Sequence, residues 1–365
     1  MTAFTLFQAS LELATSIPAA DRVHDSRPSL FLRVIDDDAE GWSECPAAVE
    51  PGVDPTADEL VAALGALLEA ADTGHAGVER GAVAGASRAR HAVKVARSFL
   101  AAAYLDLGLR REQRSLTAAL GVVASDVGFA GVIGIEAPSR ARAHARELVE
   151  LGASRLRVKV SPLVSTEALE AVLDATDVPV VADANGSFEP VTNQRELDAL
   201  LALPLAWLEQ PFAQDRLEHT AALASRTTVP IGLDESASSL EAIRESARLG
   251  AARVICLKPF RFGIPGALEA RRVAASLGLR TYVGGYFEAG LGRSVLASLA
   301  ALDDDLDGDV VAPCTYLTSD PCALPGPTAG RQPLHVTPGC GPIPTVERMA
   351  VRLERTASEP PTRRS

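Results

Sequence analysis

Five ionisable residues, Lys159, Asp183, Glu209, Asp234 and Lys258, are spaced through the middle of the chain at steps of 24, 26, 25 and 24 residues. Each closes a short apolar run (RLRVK, VPVVAD, AWLE, PIGLD, RVICLK), and amphipathic segments such as STEALEAVLDA, QRELDALLAL and SLEAIRESARL fill the intervals. A period of one strand plus one helix marks a repeated β/α unit with parallel strands and right-handed crossovers. GVIGI ahead of the set and RTYVGG behind it extend the series to about seven units. The spacing predicts an α/β fold, a (β/α)7-8 TIM-like barrel. A doubly wound open sheet is the alternative, and so long a run of units suits a closed ring better.

At 365 residues the chain has room for about two domains. Ahead of the repeat, SLELA, LFLRVID and WSEC read as strands. Helical spacing runs from Thr56 to Ala71, opened by an N-cap threonine, and again from Ser87 to Leu107. Residues 1–125 therefore read as an N-terminal α+β capping domain, 126–325 as the barrel, and 326–365 as a C-terminal extension ending in a disordered ASEPPTRRS tail.

Composition narrows the partners. With 35 Lys and Arg against 47 Asp and Glu the net charge is −12, so a nucleic acid would be repelled. No run of eighteen residues is apolar and free of charge, which predicts no membrane span, and MTAFTLFQAS lacks the charged start of a signal peptide. Five cysteines without a C-x-x-C pair read as free thiols in a reducing cytoplasm. The expected partner is a small molecule, and a homo-oligomer is compatible with the sequence.

A barrel strand is buried on both faces and should be apolar to its end, whereas these runs end in charge. The C-terminal ends of barrel strands line the mouth, where active sites are built. A carboxylate that caps the next helix explains any one of these positions, but not five in succession. Asp183, Glu209 and Asp234 would converge, repel one another and titrate high unless a cation joined them. An all-oxygen set with no His or Cys nearby predicts a hard ion, Mg²⁺, with Mn²⁺ as a substitute. Lys159 and Lys258, on the second and sixth units, face each other across the mouth and suit proton abstraction next to a carboxylate. Desolvation and neighbouring cations would lower a lysine pKa towards a working base, and Arg157, on the same strand face as Lys159, adds to that effect.

The ordered motifs LRVKV, VADANGSF, WLEQPF, GLDES and CLKPFRFG resemble the enolase superfamily, specifically its muconate-lactonizing subgroup. GVIGI, GGYFEAGLGRS and GWSEC extend the likeness over roughly residues 10 to 320, and within the subgroup it points to o-succinylbenzoate synthases and N-succinylamino acid racemases. The resemblance implies Mg²⁺ on Asp183, Glu209 and Asp234, and acid/base lysines at 159 and 258. The substrate carboxylate would lose its α-proton through an enediolate. A dehydratase of the menaquinone pathway (a lyase) would use Lys159 as the base and Lys258 as a fixed charge. A racemase (an isomerase) would alternate the two. Asn185 and Glu235 would orient ligands, while Arg157, Arg261, Gly285, Tyr286 and Glu288 would shape the substrate pocket; Arg261 matches an arginine common in the racemase-like branch.

The chain departs from the family in three places. The usual K-x-K is Arg157-x-Lys159, Tyr286 and Phe287 replace aliphatic residues before Glu288, and the lid segment Ile17 to Arg27 lacks the common Thr-Ser-Phe-Gly. Gly284–Gly285–Tyr286 carries no histidine, which sets aside the mandelate racemase and sugar-acid dehydratase branches. Asp303 and Asp305 read as a solvated turn, His219 as a packing residue, and Gly284–Gly285 as a poor phosphate site. A non-catalytic ligand-binding barrel is the alternative from another class.

Overall fold

The computed structural model describes residues 2–18, 23–47, 54–73, 86–164, 166–302 and 306–356. Asp303–Asp305, residues 19–22 of the lid segment and the tail from 357 lie outside the described residues.

Strands β1 (Thr2–Pro18), β2 (Val23–Asp36) and β3 (Ala39–Pro46) form an antiparallel sheet. Its apolar residues alternate between two destinations. Phe4, Leu6, Leu30, Leu32 and Val34 pack with α1 (Ala57–Thr73) and α2 (Ala86–Arg111), whereas Phe7, Leu11, Phe31 and Trp42 pack with Ala289, Leu291 and Leu317 further along the chain. Two buried faces explain why LFL is a continuous apolar run. Helix α1 opens on a reciprocal cap: Glu59 N donates to Thr56 Oγ1 at 3.2 Å and Thr56 N to Glu59 Oε2 at 2.8 Å. The reading of 326–365 as a mere extension did not foresee the last element. There, beyond the two-residue β12 (Gln332–Pro333), β13 (Ala350–Thr356) returns to pair antiparallel with β1 at the edge of this sheet.

After the short α3 (Leu116–Ala119) and β4 (Asp126–Val127), the repeat unfolds as expected. The strands β5 (Ala130–Ile133), β6 (Arg155–Lys159), β7 (Val180–Asp183), β8 (Trp207–Glu209), β9 (Ile231–Leu233), β10 (Val254–Leu257) and β11 (Arg280–Val283) pair in sequence order as one parallel sheet. A doubly wound sheet would reverse direction at a switch point, so that alternative is excluded. The intervening helices are α4 (Pro138–Leu151), α5 (Glu167–Leu173), α6 (Gln194–Leu201), α7 (Leu217–Ala224), α8 (Leu240–Leu249) and α9 (Pro259–Ser276), followed by α10 (Gly290–Ala300). In α7, His219 is exposed and lies edge-on to the Phe212 ring, so it is a surface contact and not a core packing residue.

Closure of the ring does not use a full eighth strand. Gly308 O accepts from Ala130 N at 2.8 Å, and Asp309 N donates to Val283 O at 2.9 Å, so two residues bridge both free edges. A Cβ on Gly308 would sit 2.6 Å from Val283 O, which makes glycine a requirement there. Side chains reinforce the bridge. Arg155 and Arg157 both point inward from β6. Arg155 donates to Asp307 O at 2.7 Å between the rings of Trp207 and Tyr282, and Arg157 pairs with Asp309 at 2.7 Å.

Helix α2 crosses β3 at Gly41, where a Cβ would run into the Ala103 carbonyl and come within 2.6 Å of Leu107 Cβ. Gly65 in α1 has nothing within 4 Å of its missing Cβ. Gly41→Ala is expected to destabilise by about 1–3 kcal/mol through overpacking. Gly65→Ala should stabilise by about 0.5–1 kcal/mol through helix propensity. Urea unfolding midpoints of the two variants check both signs.

Candidate active site

The strand pairing sets the level of the charged residues. Lys159 registers with Asp183, and Asp183 with Glu209. Asp234 follows directly on β9 and Lys258 on β10. Asp183, Glu209, Asp234 and Lys258 are each at most 2% exposed, and such burial is tolerable only because each is paired. Arg157 Nη1 lies 3.3 Å from Asp183 Oδ2 and 3.0 Å from Glu209 Oε1. Lys159 Nζ meets Asp183 Oδ2 at 3.3 Å and donates to Asn185 Oδ1. Across the mouth, Lys258 Nζ is 3.0 Å from Asp234 Oδ2, donates to Gly285 O at 3.1 Å and lies over the Tyr286 ring. Arg261, wholly buried, bridges Asp234 Oδ1 at 3.2 Å, Asp54 Oδ1 at 3.2 Å and the Tyr286 hydroxyl.

The remaining residues singled out in the sequence form the surround. Asn185, held at φ 43°, donates to Glu235 Oε1 at 3.2 Å, so it links the Lys159 side to the loop after β9. Glu288 accepts from Tyr286 N at 2.8 Å and pairs with Arg293 at 3.0 Å, which folds the loop after β11 back on itself. Tyr286 thus covers Lys258 and Arg261, while Phe287, at φ 60°, turns outward to Tyr316 and to Arg27 at the base of the lid segment. Two cavities flank the charges. One of about 250 Å³ opens beside Lys159 between α5 and α6, and one of about 130 Å³ lies against Arg157, Gly285 and Phe287.

Several participants were missed. Gln210 accepts from Asp234 N at 3.1 Å and donates to Ser236 Oγ at 2.7 Å, tying the loop after β8 to that after β9; its place directly after Glu209 was the available signal. The Tyr282 hydroxyl lies 2.7 and 2.6 Å from the two Glu209 oxygens, and strand alternation on β11 could have placed it in the barrel. Asp54 meets Arg261 across 207 positions of sequence, and no local pattern announces that. Two expectations need correction. Cys256 was overlooked: its sulfur lies within 4.8 Å of oxygens of Glu209 and Asp234, in a group that does not include Asp183. The second is the lysine pKa. Burial alone would lower that of Lys258, but the Asp234 carboxylate outweighs it and holds the ammonium above the usual lysine range.

Electrostatics favour a further cation. Burial, followed by the Asp183 and Asp234 charges, pushes the Glu209 carboxyl up against the opposing pull of Arg157 and Tyr282. Asp234 is held low, because Lys258 and Arg261 overcome the effect of its burial. Three carboxylates on adjacent strands, still repelling one another, supply the hard oxygen donors that a divalent ion takes.

Glu44 of β3 reaches the same region from the first sheet. It accepts from Ala289 N and Gly292 N at the start of α10, both at 2.8 Å, and from Ser29 Oγ at 2.9 Å. Burial pushes its carboxyl up from 4.5 to about 8. A carboxyl that holds its proton more tightly when folded adds stability below about pH 4.5, and that stability is lost as pH rises through 8. The thermal midpoint should therefore fall between pH 6 and 9. Glu44→Gln should flatten that fall while lowering the midpoint at pH 6, because the two helix N–H groups donate to different oxygens and the amide sets an NH2 against one of them. Calorimetric scans across pH read both effects.

Comparisons with known proteins agree with this architecture. Residues 140–320 match the family model described as enolase C-terminal domain-like. An N-succinylamino acid racemase from an Amycolatopsis species is 32% identical over 88% of this chain and 89% of its own length. An o-succinylbenzoate synthase from Geobacillus stearothermophilus is 34% identical over 62% of this chain and 61% of its own. Among solved structures, a probable mandelate racemase from Alicyclobacillus acidocaldarius superposes with a TM-score of 0.77 at 28% identity, covering 93% of this chain and 92% of that one.

Proposed function

We propose that this chain, which belongs to the enolase superfamily, removes the α-proton of a small carboxylate substrate with the two lysines as its acid/base groups. The observation that carries the reading is a pair of amines, Lys258 buried and Lys159 partly exposed, on opposite sides of one carboxylate trio, each paired with a different member. Members of the superfamily use a divalent metal, usually Mg²⁺, and here Asp183, Glu209 and Asp234 would hold it. When bound, such an ion stabilises negative charge developing on a substrate carboxylate.

The chain's own residues then divide the work. Lys159 as free amine takes the α-proton, and the electron pair left behind enters the carboxylate as an enediolate. Asn185 Oδ1 and Asp183 aim the amine. Arg157 stays charged and does not exchange protons at working pH, so it fixes Asp183 and Glu209 and is no base. In dehydration the pair returns to expel a β-hydroxyl, which Lys159 protonates as water leaves. In racemisation Lys258 delivers a proton to the opposite face.

Dehydration of the o-succinylbenzoate synthase kind is the first reading, because Asp234 holds Lys258 as a cation, the form that stabilises charge without moving a proton. Racemisation of N-succinylamino acids is the second, favoured by the relative that matches along nearly the whole chain. Lys159→Ala should lower solvent deuterium exchange at the α-carbon by about 10²–10⁴-fold. Wild-type protein that shows no exchange with either substrate class would leave a binding barrel without turnover. Lys258→Arg separates the two readings: a synthase keeps measurable dehydration of the cyclohexadiene precursor, whereas a racemase loses interconversion of N-succinyl amino acids. Chelator treatment should abolish either activity, and Mg²⁺ or Mn²⁺ should restore it.

A further inference from the structure

The alternation that turns Val254 and Lys258 of the β10 segment into the barrel turns Cys256 inward as well. It packs in the interior with Val254, Trp207 and Tyr282, and is 1% exposed. Pairing of Ile255 with Leu233 sets Cys256 one step on, opposite Asp234. The absent side chain of Gly284 leaves the sulfur its space, for a Cβ there would run into Cys256 Sγ and come within 2.9 Å of Lys258 Nζ. The sulfur and one oxygen each of Glu209 and Asp234 fall within 4.8 Å of one another.

We propose that Glu209, Asp234 and Cys256 form a second donor set, nested in the carboxylate trio, that captures a thiophilic divalent cation such as Zn²⁺, Co²⁺ or Cd²⁺. This rests on the reading above only in assigning both donor sets to one centre. In tetrahedral coordination, metal–sulfur and metal–oxygen bonds of ~2.3 and ~2.0–2.2 Å put neighbouring donors roughly 3.4–3.6 Å apart, so a group lying within 4.8 Å takes the ion by closing about 1 Å. Sulfur selects soft or borderline ions, which an all-oxygen trio does not favour over Mg²⁺ by ligand type. Asp183 lies outside this group, so three protein donors remain and one position stays open. The bond to sulfur forms as the thiol proton leaves to solvent, beside the Lys258 ammonium. Both sets use Glu209 and Asp234, so one ion occupies the centre at a time, and a thiophilic ion displaces the hard one.

The test is Co²⁺ titration of chelator-treated full-length protein, read by the thiolate-to-cobalt charge-transfer band in the near ultraviolet. The band is expected in wild type and absent in Cys256→Ser, with Cd²⁺ affinity reduced by at least about tenfold in the variant. No band in wild type overturns the proposal. So does a band that persists in Cys256→Ser, since another cysteine would then supply the sulfur. If the variant does not fold, X-ray absorption of the wild-type Zn²⁺ adduct decides instead. One sulfur among oxygen donors upholds the proposal, and oxygen alone refutes it. Mg²⁺ calorimetry on wild type tests the hard-ion reading separately: its failure with the cobalt band present would sink that reading and leave this one standing.

Discussion

Burial of like charges in the barrel mouth is the problem that the surrounding structure solves. Three carboxylates within one ring of strand ends are sustainable only where cations of fixed geometry answer them. Arg157 is the hub of that arrangement. Its planar fork reaches Asp183 on β7, Glu209 on β8 and Asp309 at the eighth position together, which a lysine, as a single point charge, would do poorly. Arg157 therefore does two things. It ties Asp183 and Glu209 to each other, and it closes a barrel whose eighth strand is reduced to a two-residue bridge.

The other side of the mouth is organised by the loop after β11. Gly285 O receives Lys258, Tyr286 lies over that amine, and Glu288 folds the loop onto Arg293. The loop is fixed from outside as well: Glu44 holds the first N–H groups of α10, and the Tyr316 hydroxyl donates to Glu288 O at 2.6 Å. Because Glu44 belongs to the N-terminal sheet, that sheet also sets one wall of the charged strand-end site. The aromatic side chain of Tyr286 thus gains a structural explanation. Tyr286 answers Arg261 through its hydroxyl and Lys258 through its ring, neither of which an aliphatic side chain can do.

The barrel, its strand order and the level of Lys159, Asp183, Glu209, Asp234 and Lys258 were readable because they are periodic. A strand buried on both faces tolerates charge only at its end, so each exception to the apolar pattern marked the mouth. The residues that escaped notice belong to no such pattern. Cys256 and Tyr282 read as ordinary members of apolar strands, and only alternation combined with ring closure aims them at Glu209. Gln210 is a loop residue whose amide bonds to the next loop, and Asp54 is brought to Arg261 by the packing of the first sheet and its helices on the barrel.

Local periodicity by itself determined the β/α repeat, the parallel strand order and the set of charges at the strand ends, since these follow from which residues can be buried on which face. Tertiary structure alone decided the partners. Which cation answers which carboxylate depends on distances between segments tens to hundreds of residues apart. So do the return of the chain end to the first sheet, the two-residue closure at Gly308–Asp309 and the approach of a thiol to the acidic trio. A linear sequence specifies each side chain's chemistry but not the side chains that the closed ring brings within reach.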